Sequence, residues 1–227
     1  MITHLLIDIE GTTAPISFVK EVLFPYSYQR LADFVIQHQI EPTCSACIES
    51  TRQTILNEQG VDANLDQIID QLLQWIKEDR KHLALKELQG IIWKEGYDNG
   101  TLKSLLYEDV LPRLEAWKQE GKKLYIYSSG SVEAQKLFYK YTNKGDVNHL
   151  WDGYFDTSVG GKKEQTSYEK ILSMINAPAD HILFLSDVED ELFAAHQARI
   201  PVKQVVREGT IPSNAFPVVY SFVQIII

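Results

Sequence analysis

The chain opens on a compact apolar run, residues 3–9, interrupted near its end by Asp8. Runs of four to eight apolar residues bounded by polar or turn residues are the pattern of buried strands. Residues 124–127 and 182–185 repeat it, and residues 202–206 supply a fourth candidate. Between these runs the spacing changes to the helical period. It does so around Val110, Leu111, Leu114 and Trp117, and then over residues 132–139, 167–175 and 192–198. Strands alternating with helices indicate βαβ units and a parallel sheet covered on both faces.

Residues 15–100 break that rhythm. Leu65, Ile68, Ile69, Leu72, Leu73 and Ile76 form a full apolar stripe at helical spacing, preceded by Asn64 and Gln67 at the positions of a capping box. Phe34 and Val35 lie in another helical stretch, and Leu83, Leu85 and Leu88 in a third. Cys44, Cys47, Ile48, Thr51 and Ile55 also share one helical face, which makes the C-x-x-C pair a packing feature rather than half of a zinc site. No strand is expected in this segment. The reading is an α/β core, residues 1–14 and 101–227, with an all-helical cap, residues 15–100, inserted after the first strand.

Composition narrows the function classes. The chain has 227 residues, 44% of them hydrophobic, enough for one domain with an insert. Its formal charge of −9 disfavours nucleic acid and anionic membranes as partners. No apolar run approaches the roughly 20 residues of a membrane helix, and the N-terminal residues lack a secretory pattern. A cytoplasmic protein is expected. Asn99-Gly100-Thr101 matches a glycosylation sequon but is read as a turn.

The candidate chemistry lies where the strands end. Asp8 and Glu10 are two apart, so on a strand they leave the same face, and Gly11-Thr12-Thr13 turns the backbone behind them. Clustered carboxylates call for a neutralising cation, and an all-oxygen set suits magnesium. Ser128-Ser129-Gly130-Ser131 precedes a helix, where hydroxyls and N–H groups can cradle an anion. Gly160-Gly161-Lys162-Lys163 places a lysine after flexible glycines. In residues 186–191, Asp187 is the expected metal ligand, with Glu191 in support one turn later.

The order of carboxylate pair, hydroxyl, lysine and acidic cluster resembles the four motifs of the haloacid dehalogenase-like superfamily. That resemblance implies a Rossmann-like parallel sheet and a magnesium-dependent phosphohydrolase working through an aspartyl-phosphate. A closer resemblance rests on residues 8–13, on Ile92-Trp93-Lys94 with Gly96-Tyr97, on residues 125–135, and on Phe155-Asp156-Thr157. These look like the enolase-phosphatases of methionine salvage. The superfamily's usual Asp two residues after the nucleophile is Glu10 here, as in the enolase-phosphatases.

The resemblance implies enolisation and dephosphorylation of 2,3-diketo-5-methylthiopentyl-1-phosphate to an acireductone. It makes Asp8 the nucleophile and a magnesium ligand, and Glu10 a magnesium-associated acid/base. Asp187 becomes a magnesium ligand, and Ser128, Ser129 and Lys162 bind substrate. One Mg²⁺ per chain, a small-molecule phosphate substrate and a monomeric state are expected with it. Trp93 and Tyr97 are candidates for the methylthio end, with core packing as the other reading. Two alternatives stand beside this one: a plain cap-bearing phosphatase without an enolase step, and a receiver-like phospho-switch, which the chain length and the acceptor's place on the first strand disfavour.

Overall fold

The computed structural model describes residues 1–227. It divides into two compact units, Met1–Phe18 with Lys103–Ile227, and Val19–Leu102.

The first unit is built on six parallel strands: β1 (His4–Ile7), β2 (Lys123–Tyr127), β3 (Gly153–Phe155), β4 (Ile182–Ser186), β5 (Val202–Val205) and β6 (Val218–Val219). Their order is β3-β2-β1-β4-β5-β6. Leu5, Leu6 and Ile7 pair with Leu124, Tyr125 and Ile126 on one side and with Leu183, Phe184 and Leu185 on the other. The chain therefore leaves β1 toward β2 and β3, then returns past β1 to build β4, β5 and β6. That reversal places a switch point at the carboxyl end of β1, where open α/β sheets bind ligands. All of β4 is buried, as its unbroken apolar run requires of a strand covered on both faces.

Four helices accompany this sheet: α5 (Val110–Gln119), α6 (Val132–Lys140), α7 (Gln165–Ile175) and α8 (Glu189–Gln197). Tyr127, Tyr168, Ile171, Phe184, Leu192 and Ala195 share one core with the strands. Two elements escape hydropathy reading. β3 and β6 have three and two residues, too few to display any periodicity.

The second unit contains α1 (Phe24–His38), α2 (Pro42–Gln59), α3 (Leu65–Lys77) and α4 (Leu83–Asp98), and no strand. Both α1 and α2 pack against α3 and α4. Asn64 accepts from the Gln67 N–H while the Gln67 side chain accepts from the Asn64 N–H, each at 3.0 Å, completing the capping box. Cys44 and Cys47 are buried on α2. Burial, helped by the nearby Glu87 carboxylate, pushes the Cys47 thiol up to about 11, which keeps it an unreactive thiol. No helix of the chain is long and apolar enough to cross a membrane.

Arg207, two residues beyond β5, ties three parts of the sheet unit together. Its Nε and Nη2 both lie 3.3 Å from the Thr12 carbonyl, and its Nη1 donates to Asp109 Oδ2 at 3.0 Å. The guanidinium sits 4.2 Å from the Tyr107 ring centre. The same Asp109 oxygen accepts the Phe222 N–H at 2.7 Å. Burial by itself would raise the Asp109 carboxyl, but the Arg207 and Phe222 donors outweigh it and hold the group below its ordinary value. A depressed folded value means that this stabilisation is present above the unfolded pKa of about 3.9 and disappears as pH falls through the lower folded one. Asp109→Asn is therefore expected to lower Tm at pH 7 and to flatten the fall of Tm between about pH 5 and pH 3. Parallel melting curves for the two proteins across that range would refute the linkage.

Candidate active site

The residues named from sequence come from four places in the sheet unit. Asp8 follows β1 directly, Ser128 follows β2, and Asp187 follows β4. Lys162 comes instead from the loop between β3 and α7, seven residues beyond the strand. The sequence reading had set all four motifs at strand ends. For the lysine the structure substitutes a long loop, pinned backbone group by backbone group. The Tyr127 hydroxyl donates to the Gly160 carbonyl at 2.9 Å, Ser167 Oγ to that of Gly161 at 2.8 Å, and the Tyr168 hydroxyl to that of Lys162 at 2.7 Å. Gly160 has φ +138° and lies so close to Ser167 that a Cβ would come within 2.2 Å of Oγ. Only glycine fits there.

That loop buries an ammonium among carboxylates. Lys162 Nζ lies 2.5 Å from Asp8 Oδ1 and 2.8 Å from Glu191 Oε2. Burial alone would lower the lysine, but the charges of Asp8, Glu191 and Glu10 overcome it and the group remains firmly protonated. Lys163, the neighbouring lysine, is exposed and pairs with Asp190.

Three of the carboxyls are raised as well, which for an acid favours the neutral form. Burial first, and the Asp8 charge second, raise Glu10 and Glu191 and bring Asp187 up to about 7. Glu10 accepts from Ser128 Oγ at 3.1 Å, so the carboxylate after β1 and the hydroxyl after β2 meet directly. Asp187 is held by the Gly11-Thr12 turn. Its N–H donates to Thr12 Oγ1 at 3.0 Å, and its carboxyl lies where a Cβ on Gly11 would stand, 2.3 Å from Oδ2. Ser129 is half-buried in the loop after β2.

Glu191, expected to support Asp187 from one turn later, meets Lys162 and Ser186, whose Oγ lies 2.9 Å from it and 3.4 Å from Asp8 Oδ2. Ser186 was passed over in the sequence. Its signal was a lone hydroxyl ending an otherwise apolar strand, fully buried and able to bridge two carboxylates. Thr12 was likewise passed over as a turn residue. Tyr97 is buried within the helical unit, and Trp93 Nε1 donates to the Leu23 carbonyl at 2.9 Å while its ring stacks on Phe24.

The donor set can be weighed for a metal. Asp8, Glu10 and Asp187 offer oxygen only, the chemistry that hard divalent cations require. Four carboxyl groups, those of Asp8, Glu10, Asp187 and Glu191, face one buried ammonium, and three are raised by burial and mutual repulsion. A divalent cation would relieve that repulsion. No three of these groups are gathered as a finished metal shell; Asp8 is drawn to Lys162 and Glu10 to Ser128. The set fits magnesium in its chemistry and needs side-chain adjustment to hold it.

A parallel α/β sheet with carboxylates, hydroxyls and a lysine at its switch point defines a phosphate-handling hydrolase, and the comparisons agree. A family model described as haloacid dehalogenase-like hydrolase matches residues 2–199. "Enolase-phosphatase E1" of Aquifex aeolicus (strain VF5) is 45% identical over 222 residues, 98% of this chain and 98% of that protein. The protein of the same name from Sulfurihydrogenibium sp. (strain YO3AOP1) is 49% identical over 207 residues, 91% of this chain and 89% of its own length. Among solved structures, the UTR4 protein of Saccharomyces cerevisiae superposes with a TM-score of 0.79 at 36% identity, covering 99% of this chain and 100% of that one. The chain belongs to the haloacid dehalogenase-like hydrolases and, within them, to the enolase-phosphatases.

The two adjacent lysines provide a test of this geometry. Losing one positioned electrostatic donor costs on the order of 10²–10³ in rate. Lys162→Met should lose that much in kcat/KM, while Lys163→Met should remain within about twofold of wild type. A larger loss at position 163 would exclude the arrangement described.

Proposed function

We propose that this enzyme converts 2,3-diketo-5-methylthiopentyl-1-phosphate to the acireductone 1,2-dihydroxy-3-keto-5-methylthiopentene, by enolisation followed by loss of phosphate. The supporting observation is the buried Asp8–Lys162 pair next to the Glu10–Ser128 contact, in a chain of the enolase-phosphatase family. Asp8 is the nucleophile. One of its oxygens attacks phosphorus, the ester P–O bond breaks, and an aspartyl-phosphate forms while the electron pair leaves with the enediol oxygen. Lys162 steadies the phosphoryl oxygens as a point charge, and Ser128 and Ser129 hold the substrate through their hydroxyls.

Glu10 is the acid/base. Burial and the Asp8 charge raise its carboxyl, a direction that suits a group which delivers a proton to the departing oxygen and then removes one from the water that hydrolyses the aspartyl-phosphate. The same group is the first candidate for moving the carbon-bound proton in enolisation. Asp8, Glu10 and Asp187 would hold one Mg²⁺ per chain. When bound, magnesium supplies positive charge that neutralises phosphoryl oxygens and polarises the carbonyls of the short carbon chain. Residues 1–14 and 101–227 form the catalytic core in this reading, and residues 15–100 the cap. The enzyme acts as a cytoplasmic monomer on a small phosphate ester, with neither nucleic acid nor membrane as partner.

Asp8→Asn should abolish phosphate release while leaving Tm within a few degrees of wild type, because the amide keeps the shape and loses the nucleophilic charge. Appreciable turnover by a folded Asp8→Asn protein would overturn the nucleophile. Activity should vanish in excess EDTA and return with Mg²⁺; undiminished rates in the chelator would rule the metal out. In rapid mixing of the diketo phosphate with wild-type enzyme, enol absorbance should rise before free phosphate and then fall. Phosphate appearing from the unenolised diketone would favour a plain phosphatase.

A further inference from the structure

Gln135, on the first full turn of α6, is 2% exposed and has no part in the reaction as described. Its Nε2 lies 2.8 Å from the Gly130 carbonyl and 2.9 Å from the Phe155 carbonyl. Carbonyls only accept, so the amide must present its two N–H donors to them. Its Oε1 is buried and accepts nothing. Phe155 O also takes the Ser128 N–H at 3.2 Å, which joins the end of β3, the end of β2 and helix α6 at one buried point.

The bond to Gly130 dictates the orientation of the next amide. In a trans peptide the carbonyl and the following N–H point in opposite directions, and the chain has no cis bond. Drawing the Gly130 carbonyl onto Gln135 therefore turns the Ser131 N–H away from that buried contact. The surrounding donors are already occupied. Gly130 N–H reaches Ser128 Oγ at 3.3 Å, Val132 N–H reaches Asp156 Oδ2 at 3.2 Å, and Ala134 N–H reaches Ser131 Oγ at 3.2 Å. The N–H groups of Ser129 and Ser131 donate to no protein atom. A free donor at a helix start, fixed in direction and one residue beyond the Gly130 N–H that reaches the Ser128 hydroxyl, is suited to an anionic oxygen.

We propose that Gln135 is a positioning residue that locks the Gly130–Ser131 peptide so that the Ser131 N–H serves as an additional donor to the phosphoryl group. The proposal rests on the phosphatase reading above and extends it to the chemistry of the anion site. It applies equally to a phosphate monoester and to inorganic phosphate, which share the recognised oxygens.

The geometry of Ser131 permits a clean experiment. Its φ of −59° is one that proline adopts. Ser131→Ala and Ser131→Pro both lose the capping hydroxyl, but only the proline variant loses the N–H. Inorganic phosphate binding to the Mg²⁺-loaded full-length protein, measured by calorimetry, should be about tenfold weaker in Ser131→Pro than in Ser131→Ala, as expected for one charge-assisted hydrogen bond. Gln135→Met should weaken phosphate binding and raise KM by a similar factor, with a smaller change in kcat. If Ser131→Pro and Ser131→Ala bind phosphate equally, the N–H is no donor and the proposal fails. If Gln135→Met lowers Tm but leaves phosphate affinity and KM within twofold, Gln135 is only a packing residue and the positioning role fails. Should Gln135→Met not fold, the Ser131 pair decides. A wild-type protein that binds phosphate yet does not dephosphorylate the diketo phosphate would sink the functional reading while leaving this test intact.

Discussion

The ammonium of Lys162 is held out of water between the carboxylates of Asp8 and Glu191, and much of the sheet unit is arranged to keep it there. Removing an ion from water costs several kcal/mol even after relaxation, so a buried lysine is tolerated only with opposite charge in contact. The reverse holds for the carboxylates. Asp8, Glu10, Asp187 and Glu191 crowd the end of the sheet, and without a cation their mutual repulsion would drive them apart or force them to take up protons. Lys162 answers only part of that charge. Burial first, and the charge of Asp8 second, leave Glu10, Asp187 and Glu191 raised.

Second-layer residues keep these groups from escaping. Gly11 leaves room for the Asp187 carboxyl, Thr12 fastens its N–H, and Arg207 fastens Thr12 from behind through its carbonyl. Ser186 spans Asp8 and Glu191, while Tyr127, Ser167 and Tyr168 tie down three consecutive carbonyls of the lysine loop. None of these contacts is chemical in the sense of bond-making. Each removes a direction in which a strained charge could relax, which is how preorganised electrostatics are maintained between turnovers. Gln135 belongs to the same layer on the β2 side, where it acts on a peptide rather than on a side chain.

Much of this was legible along the chain. The apolar runs within β1, β2 and β4 identify strands because a strand covered on both faces is apolar on both, whereas β5 carries Lys203 and Gln204 between its valines and is marked less plainly. The apolar stripe of α3 and the Asn64–Gln67 pair are local features, readable from spacing and completed as a capping box. Asp8, Glu10, Ser128 and Asp187 stood out because chemistry-bearing residues clustered at strand ends, where side chains are not consumed by packing, and Lys162 because it follows Gly160 and Gly161. Other features left no such mark. The short strands β3 and β6 carry no period, and Ser186, Thr12 and Gln135 have the appearance of ordinary strand-end, turn and helix residues.

By itself, then, the amino-acid order determined the α/β alternation, the helical insert and the set of groups available for phosphate chemistry, since propensity, period and residue type are properties of neighbours along the chain. Which groups meet was decided only in three dimensions. Lys162 finds Asp8 across 154 positions, and Thr12 finds Asp187 across 175. Glu191 meets the Lys162 ammonium, a contact that spacing along the helix does not reveal. Separations of that length are closed by the register of β1 between β2 and β4, and burial, which raises Glu10, Asp187 and Glu191, exists only once that sheet has formed.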